Sequence, residues 1–400
     1  MAKAVLKKGE GRYLKRGGLW IYDNEIAQIA GSYANGDIID VEDFDGYYMG
    51  KGYINDNSVI RIRMMTRRSS EAVDRALIDE RVERAVTYRW DVMGEDVNSC
   101  RLIFGEADYL PGITVDKFED ILVVESLTLG IERYKADIID SLIKALERRS
   151  VKVRGVYERS DAKERIKEGL KRCKGFIGDE FDTMVPITEN GVKYMVNVED
   201  GQKTGFFLDQ KYNRRAVAKL CKNKTVLDCF THTGSFALNA ACAGAEHVTA
   251  VDASQLAIDQ AKDNAVLNNV EGIMDFICAD VFDLLPALVK DGSKYDVVIL
   301  DPPAFAKSRG SVKNATKGYR EINMQGLRLV RDGGFFATCS CSHFMTQELF
   351  TKMIGEAARM THKRLRQVEF RTQAPDHPIL WAADESYYLK FYIFQVCEEK

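Results

Sequence analysis

Six residues in the last quarter of the chain, Thr338-Cys339-Ser340-Cys341-Ser342-His343, set two thiols two positions apart beside hydroxyls and an imidazole. Cysteine is well suited to bond transiently with an unreactive carbon, because its thiolate is intrinsically a strong nucleophile. If a strand persists through this segment, both sulfurs project to the same side. A zinc site of the Cys-x-Cys-x-His kind needs a second, suitably spaced ligand pair, which is lacking, so no metal is expected. Upstream, Asp301-Pro302-Pro303-Ala304-Phe305 joins a carboxylate to two prolines, which fix φ and remove two backbone donors. Such a rigid loop can hold carbonyl groups and Asp301 against a flat ligand, with Phe305 available for stacking.

More carboxylates recur at what read as strand ends. The run Asp228-Cys229-Phe230-Thr231-His232-Thr233-Gly234-Ser235-Phe236 has one glycine, where a pyrophosphate loop needs G-x-G-x-x-G for close backbone approach. A dinucleotide is therefore disfavoured. The next strand ends in Asp252-Ala253-Ser254, and its carboxylate can accept both ribose hydroxyls. The third ends at Asp280, placed to accept from an adenine amino group beside apolar Val281. Single acids in such places usually cap helices. Three in succession without a phosphate loop fit a nucleoside bearing a cation, and S-adenosylmethionine is such a molecule.

A thiolate facing a methyl donor points to methylation of a pyrimidine at carbon 5, a poor nucleophile until something adds to carbon 6. Sulfur attacks carbon 6, carbon 5 takes the methyl group, a base removes the carbon 5 proton and the sulfur leaves. Asp301 is placed to hydrogen-bond the polar edge of the ring and is the leading candidate for the base.

These residues need a scaffold that brings strand ends together. From Lys224 onward, strands and helices alternate as in a doubly wound parallel sheet. Strands are expected at 225–230, 248–252, 275–279, 295–301 and 334–339, and helices at 235–243, 255–268, 281–290, 317–330 and 348–360. Two final strands, 367–372 and 387–396, have no helix between them, unlike a plain dinucleotide fold. Residues 1 to about 70 read as short strands with turn punctuation, a small β-barrel. Between them lies a mixed α+β region with a helix at 71–93. It ends in a hairpin at 185–198 turned by Glu189-Asn190-Gly191. The expected architecture is α/β in three parts: a barrel at 1–72, an α+β middle domain with its hairpin linker at 73–198, and a Rossmann-like domain at 199–400.

Composition sets the outer bounds. At 400 residues, 46% hydrophobic and 29% charged, the chain can bury sizeable cores without disulfides. Nine irregularly spaced cysteines fit reduced thiols in a cytosol. Signal-peptide and membrane-spanning patterns are absent, so a cytoplasmic location is expected. Lys and Arg total 57 against 60 Asp and Glu, which argues against whole-surface RNA binding. Local clusters differ. Residues 1–20 hold Lys3, Lys7, Lys8, Arg12, Lys15 and Arg16 against Glu10 alone, and Arg61, Arg63, Arg67 and Arg68 follow within eight residues. With Tyr13 and Trp20 nearby, a basic stripe on the barrel suits phosphate contact and base stacking.

Residues 200–400 resemble class I S-adenosylmethionine-dependent methyltransferases. The whole chain resembles the bacterial large-subunit ribosomal RNA cytosine-5 methyltransferases with an N-terminal PUA domain. The matching stretches are Lys15-Arg16-Gly17-Gly18-Leu19-Trp20, Lys203 to Gln210 with Arg214, Asp228 to Phe236, Asp301 to Phe305, Ser340-Cys341-Ser342 and Asp376-His377-Pro378. The resemblance implies ribosomal RNA as substrate, a homodimer, and a segment from Phe207 through Asp209 and Gln210 to Arg214 that closes over the cofactor. It selects Cys341 over Cys339 as nucleophile, leaving Cys339 as a packing residue. It also marks Asp376-His377-Pro378 as substrate-side architecture. The chain departs from many such enzymes in carrying Ala304 where a product-releasing cysteine follows the proline. Two other functions compete: an amino-group methyltransferase acting on guanine or adenine, and a non-catalytic RNA-binding assembly factor.

Overall fold

The computed structural model describes residues 2–306, 308–381 and 383–398. Contacts along the chain define two compact units, one made of Met1–Ile187, Met195–Leu208 and Pro375–Ser386, the other of Thr188–Tyr194, Asp209–Ala374 and Tyr387–Lys400.

The second unit is built on a seven-stranded sheet. Its strands are β1 (Thr225–Cys229), β2 (His247–Asp252), β3 (Met274–Cys278), β4 (Tyr295–Leu300), β5 (Val330–Ser340), β6 (Lys363–Arg371) and β7 (Lys390–Glu398), in the order β3-β2-β1-β4-β5-β7-β6. The first five pair in parallel, whereas β7 runs antiparallel to both β5 and β6. Apolar runs such as Val297-Val298-Ile299-Leu300 are almost wholly buried, as strands covered on both faces require. Each such side chain contributes roughly 1.5–3 kcal/mol by leaving water.

Five helices follow strands: α1 (Ser235–Cys242), α2 (Gln255–Leu267), α3 (Val281–Lys290), α4 (Val312–Leu329) and α5 (Gln347–Met360). Ser254 and Thr346 cap α2 and α5 through their side-chain oxygens. Helix α4 starts five residues before the expected position, because Ser308 and Ser311 form a capping box ahead of it and Ala315 joins Tyr319 in the core. Chain order reverses between β1 and β4, so the carboxyl ends of those strands open a crevice.

The first unit holds two sheets and includes both regions expected as separate domains, 1–72 and 73–198, except for Thr188–Tyr194. One sheet has six strands, from Lys3–Leu6 to Ile60–Thr66, around a core of Leu6, Ile21, Val41, Ile54 and Ile62. The other has five, from Ser99–Phe104 to Cys173–Ile177, with the helices Arg75–Met93 and Lys135–Glu147. The strands at Lys3–Leu6, Trp20–Tyr22 and Ile26–Ala30 go beyond the sequence expectation. The hairpin Met184–Glu189 to Val192–Asn197 turns where expected, with φ of 55° at Asn190 and 80° at Gly191, the left-handed pair that a tight I′ turn requires.

Asp376-His377-Pro378, expected as substrate-side architecture, lies in the first unit, where its first two residues are anchored by hydrogen bonds. Asp376 is fully buried and His377 nearly so. Asp376 accepts from the Arg101 amide (2.9 Å), its carbonyl accepts from Arg89 Nη2 (2.9 Å), and His377 Nδ1 lies 2.9 Å from its carboxylate. Arg89, itself fully buried, also ion-pairs with Asp108 at 2.6 Å. Removing one partner of a buried pair leaves an uncompensated charge, a loss of about 3–5 kcal/mol. Arg89→Met is therefore expected to lower the melting temperature by several degrees in scanning calorimetry; an unshifted transition would contradict this anchoring role.

Candidate active site and nucleic-acid interface

The cysteine segment sits where β5 runs out. Cys339 is the penultimate residue of the strand and fully buried, while Cys341 lies just beyond it and is half-buried. The flanking serines explain the motif. Ser340 Oγ donates to the Tyr319 hydroxyl (3.0 Å), and Ser342 Oγ accepts from the Ala306 amide (3.0 Å) while donating to the Ala306 carbonyl (3.2 Å). Two hydroxyls thus tie Cys341 to helix α4 on one side and to the proline loop on the other. Cys341 Sγ is 3.8 Å from the Pro302 carbonyl, which places the thiol against that loop.

Cys339 is more than a packing residue. Its Sγ donates to Asp301 Oδ1 at 2.8 Å, and Gln210 Nε2 donates to the same oxygen at 3.0 Å. Gln210 is oriented by Asn213 Nδ2 (2.6 Å), whose amide oxygen accepts from Arg371 Nε (3.0 Å). Burial raises the Asp301 carboxyl to about 6, against the lowering effect of the Cys339 hydrogen bond. Burial and the adjacent Asp301 charge push the Cys339 thiol well above its ordinary value, so it stays a neutral donor. Phe305 departs from the expected ligand-stacking role. Its ring packs 4.6 Å from Tyr319 and 5.8 Å from Phe282, on the core.

At the other strand ends the acids are engaged by backbone. Asp252 Oδ2 accepts from the His232 amide and Oδ1 from the Ser254 amide, both at 2.9 Å. Asp228 Oδ2 accepts from Thr231 Oγ1 (2.5 Å) and the Ala237 amide (2.9 Å), and burial raises this carboxyl to about 7. Asp280 caps α3 through the Phe282 amide (2.8 Å) and remains exposed. The loop after β1 carries positive φ at Phe230 (64°), His232 (52°) and Gly234 (83°); non-glycine residues persist in this region only where their surroundings enforce it, often at ligand sites. A Cβ on Gly234 would stand 3.1 Å from that of Ala261.

These residues suit S-adenosylmethionine. Asp228 Oδ1 and Thr233 Oγ1 are buried with no hydrogen-bond partner among the described residues, and a buried polar atom needs one. Asp252 keeps lone pairs for a diol, and α1 opens without a side-chain cap at Gly234. Not every expected cofactor residue meets this cleft through its side chain. Phe236 stacks on Phe391 (5.7 Å, 2° between planes), and Val281 is buried in the core. Ser254 caps α2 beside exposed Ala253. Arg214 is buried in a two-pronged pair with Glu189 (2.6 and 2.8 Å) and lies 3.4 Å from Ser235 Oγ. It is thus tied to the first turn of α1. Asp209 Oδ2 accepts from the Tyr388 hydroxyl at 2.7 Å. Phe207 belongs to the first unit, where Lys203 Nζ stands 5.1 Å over its ring.

Lys390 is a residue of this site that no sequence motif marks. It is buried next to the cysteine segment, its ammonium on the Ser342 carbonyl at 2.6 Å. The available signal was a lone cation in the apolar run Leu389 to Phe394, since lysine is rarely buried without a reason.

On the barrel the basic residues divide. Arg63 is buried against Glu168 (2.9 Å), which removes it from any phosphate-binding set. Arg61 pairs with Asp56 (2.6 Å) and Lys15 with Asp43 (2.6 Å). Trp20 is half-buried and donates Nε1 to Glu106 (2.8 Å). Lys7, Lys8, Arg12, Arg16 and Arg67 are exposed and have no carboxylate within ion-pair distance among the described residues; Arg68, 3.7 Å from Glu71, is 80% exposed. Phe44 and Tyr47, 53% and 66% exposed, supply the aromatic surface, with Lys8 5.8 Å and Lys15 5.7 Å from their ring centres. Arg67 and Arg68 also line a cleft of about 410 Å³ with Arg81, Arg84, Tyr88 and Tyr109.

Comparison with known proteins identifies the family. Residues 154–394 match the family model of S-adenosylmethionine-dependent methyltransferases, and residues 4–67 match that of PUA-like domains. The chain is 39% identical to a ribosomal RNA large subunit methyltransferase I from Pseudoalteromonas translucida, covering 99% of this chain and 100% of the relative. It is 37% identical to one from Klebsiella pneumoniae, covering 98% of each. The fold is shared with the crystal structure of SMU.776, a methyltransferase complexed with SAH, at a TM-score of 0.84, 20% identity, and coverage of 99% and 100%. The cation-bearing nucleoside inferred from the strand-end acids is S-adenosylmethionine, and the chain belongs to the family of S-adenosylmethionine-dependent methyltransferases that includes ribosomal RNA large subunit methyltransferase I.

Proposed function

We propose that this protein methylates carbon 5 of a cytosine in large-subunit ribosomal RNA through a covalent adduct with Cys341. The substrate class comes from the relatives that align over nearly the full chain. The chemistry rests on one observation: the thiol of Cys341 is held at the end of β5, against the loop that carries Asp301. S-adenosylmethionine, when bound, supplies an electrophilic methyl group.

In this reading the Cys341 sulfur lone pair forms the bond to carbon 6, and the displaced π pair gathers at carbon 5. Asp301, fixed by Cys339 and Gln210, meets the polar edge of the cytosine and steadies the charged ring. After carbon 5 is methylated, a base takes its proton, the double bond re-forms and the carbon–sulfur pair returns to Cys341. A carboxyl poised near 6 is largely ionised at neutrality yet more basic than an ordinary aspartate, the range in which a general base works best. The exposed cations and aromatics of the barrel bind the flanking RNA in a cytoplasmic enzyme.

Cys341→Ala is expected to reduce transfer of labelled methyl groups to undermodified ribosomal RNA by about 10³-fold or more, as loss of a nucleophile does. Retained turnover would exclude the adduct and favour amino-group methylation. If ionised Asp301 is the base, the rate falls as pH drops through about 6. Asp301→Asn then loses both the rate and that acid limb, and a variant that keeps the limb rules Asp301 out. Lys8→Glu combined with Arg12→Glu should weaken RNA binding at every sequence and flatten its salt dependence, by roughly 0.7–0.9 in log–log slope per lost phosphate contact. An unchanged slope in filter binding would move the RNA off this face.

A further inference from the structure

Lys390 opens β7 and is 1% exposed. The antiparallel register sets it across from Ser340 on β5. Its ammonium donates to two carbonyls, Ser342 at 2.6 Å and Tyr388 at 2.8 Å. Among the described residues it has no carboxylate partner within ion-pair distance. An ammonium buried in this way is unfavourable unless an anion lies close.

The groups that face it narrow the choice of anion. Cys339 and Cys341 flank Ser340, its cross-strand neighbour, and Cys341 immediately precedes Ser342, whose carbonyl the ammonium holds; the Tyr387 ring centre lies 5.8 Å away, and the Tyr319 hydroxyl, 3.0 Å from that of Ser340, faces the same segment. Cys339 is held neutral by its bond to Asp301. Burial lowers the Lys390 ammonium to about 8, against the pull of the two thiols. A tyrosine ring offers no formal charge near neutral pH. Cys341 is left as the group whose anion can balance the lysine.

We propose that Lys390 is a positioning residue that keeps Cys341 as a thiolate before attack and receives its charge again when sulfur leaves the ring. The charges balance through the cycle. At rest the pair is S⁻ and NH₃⁺; on addition the sulfur lone pair becomes the carbon–sulfur bond and the negative charge passes to the pyrimidine. On elimination that electron pair returns to sulfur, and the ammonium keeps its proton throughout. The two carbonyls fix the cation at the strand end, so little reorganisation is needed when charge develops. This inference rests on the covalent reading of Cys341.

The test is the pH dependence of iodoacetamide alkylation at Cys341, followed peptide by peptide by mass spectrometry so that the nine cysteines are told apart. In the unaltered protein the midpoint is expected at least one unit below the ~8.5 of a free thiol. Lys390→Met should raise it to that value or higher and slow alkylation at pH 7 about tenfold or more, while Lys390→Arg should keep it low. A midpoint at or above ~8.5 in the unaltered protein, or an unmoved midpoint in a Lys390→Met protein that still binds S-adenosylmethionine, would overturn the proposal. Should the methionine variant fail to fold, the unaltered protein and the arginine variant still decide. Methyl transfer by Cys341→Ala would sink the covalent reading alone, because the alkylation midpoint reports the lysine–thiol coupling whether or not sulfur attacks the substrate.

Discussion

The hydroxyl of Ser342, shared between the amide and the carbonyl of Ala306, is the contact on which the candidate active site depends. Parallel strands end in free backbone groups, and two adjacent strand ends have no intrinsic reason to keep their following loops in register. Here one buried side chain replaces the missing ladder partners. It satisfies a donor and an acceptor that would otherwise be stranded, and it sets the distance between the thiol segment and the carboxylate loop. The prolines at 302 and 303 work with it, since a loop short of amide donors has few other ways to be held.

A second layer organises the carboxylate itself. Arg371, Asn213, Gln210 and Cys339 form a directed sequence of hydrogen bonds ending on Asp301 Oδ1. Each member fixes the orientation of the next, so the carboxylate is held in one alignment, and burial supplies the proton affinity that an exposed aspartate lacks.

Much of this was legible in the sequence. The seven strands of the second unit fall within a few residues of their expected positions, because long apolar runs closed by acids or glycine leave little choice of element. Their carboxyl-end residues, Asp228, Asp252, Asp280 and Asp301, were visible for the same reason. What could not be read were relations between distant segments. Nothing local marks Cys339 as a partner of Asp301, or Ser342 as a partner of Ala306. The barrel cations show the same limit: Arg63 and Arg68 look alike in a list of charges, yet one is buried on Glu168, 105 residues away, and the other is exposed. The side chains of Phe305, Phe236 and Val281 pack on aromatic or core neighbours, a destination the sequence does not mark because apolar residues at strand ends serve the core as readily as a ligand.

The anchoring of Asp376 also bears on how the chain is made. Arg89 finds its carbonyl partner 287 residues further on, and the Arg101 amide finds its carboxylate after 275. At a synthesis rate of about 5–20 residues per second, a growing chain would hold the Arg89 guanidinium without that partner for roughly 15–60 s. The first unit begins to fold early but closes late, after the whole doubly wound sheet except its last strand has left the ribosome. Its completion is thereby coupled in time to synthesis of the catalytic unit.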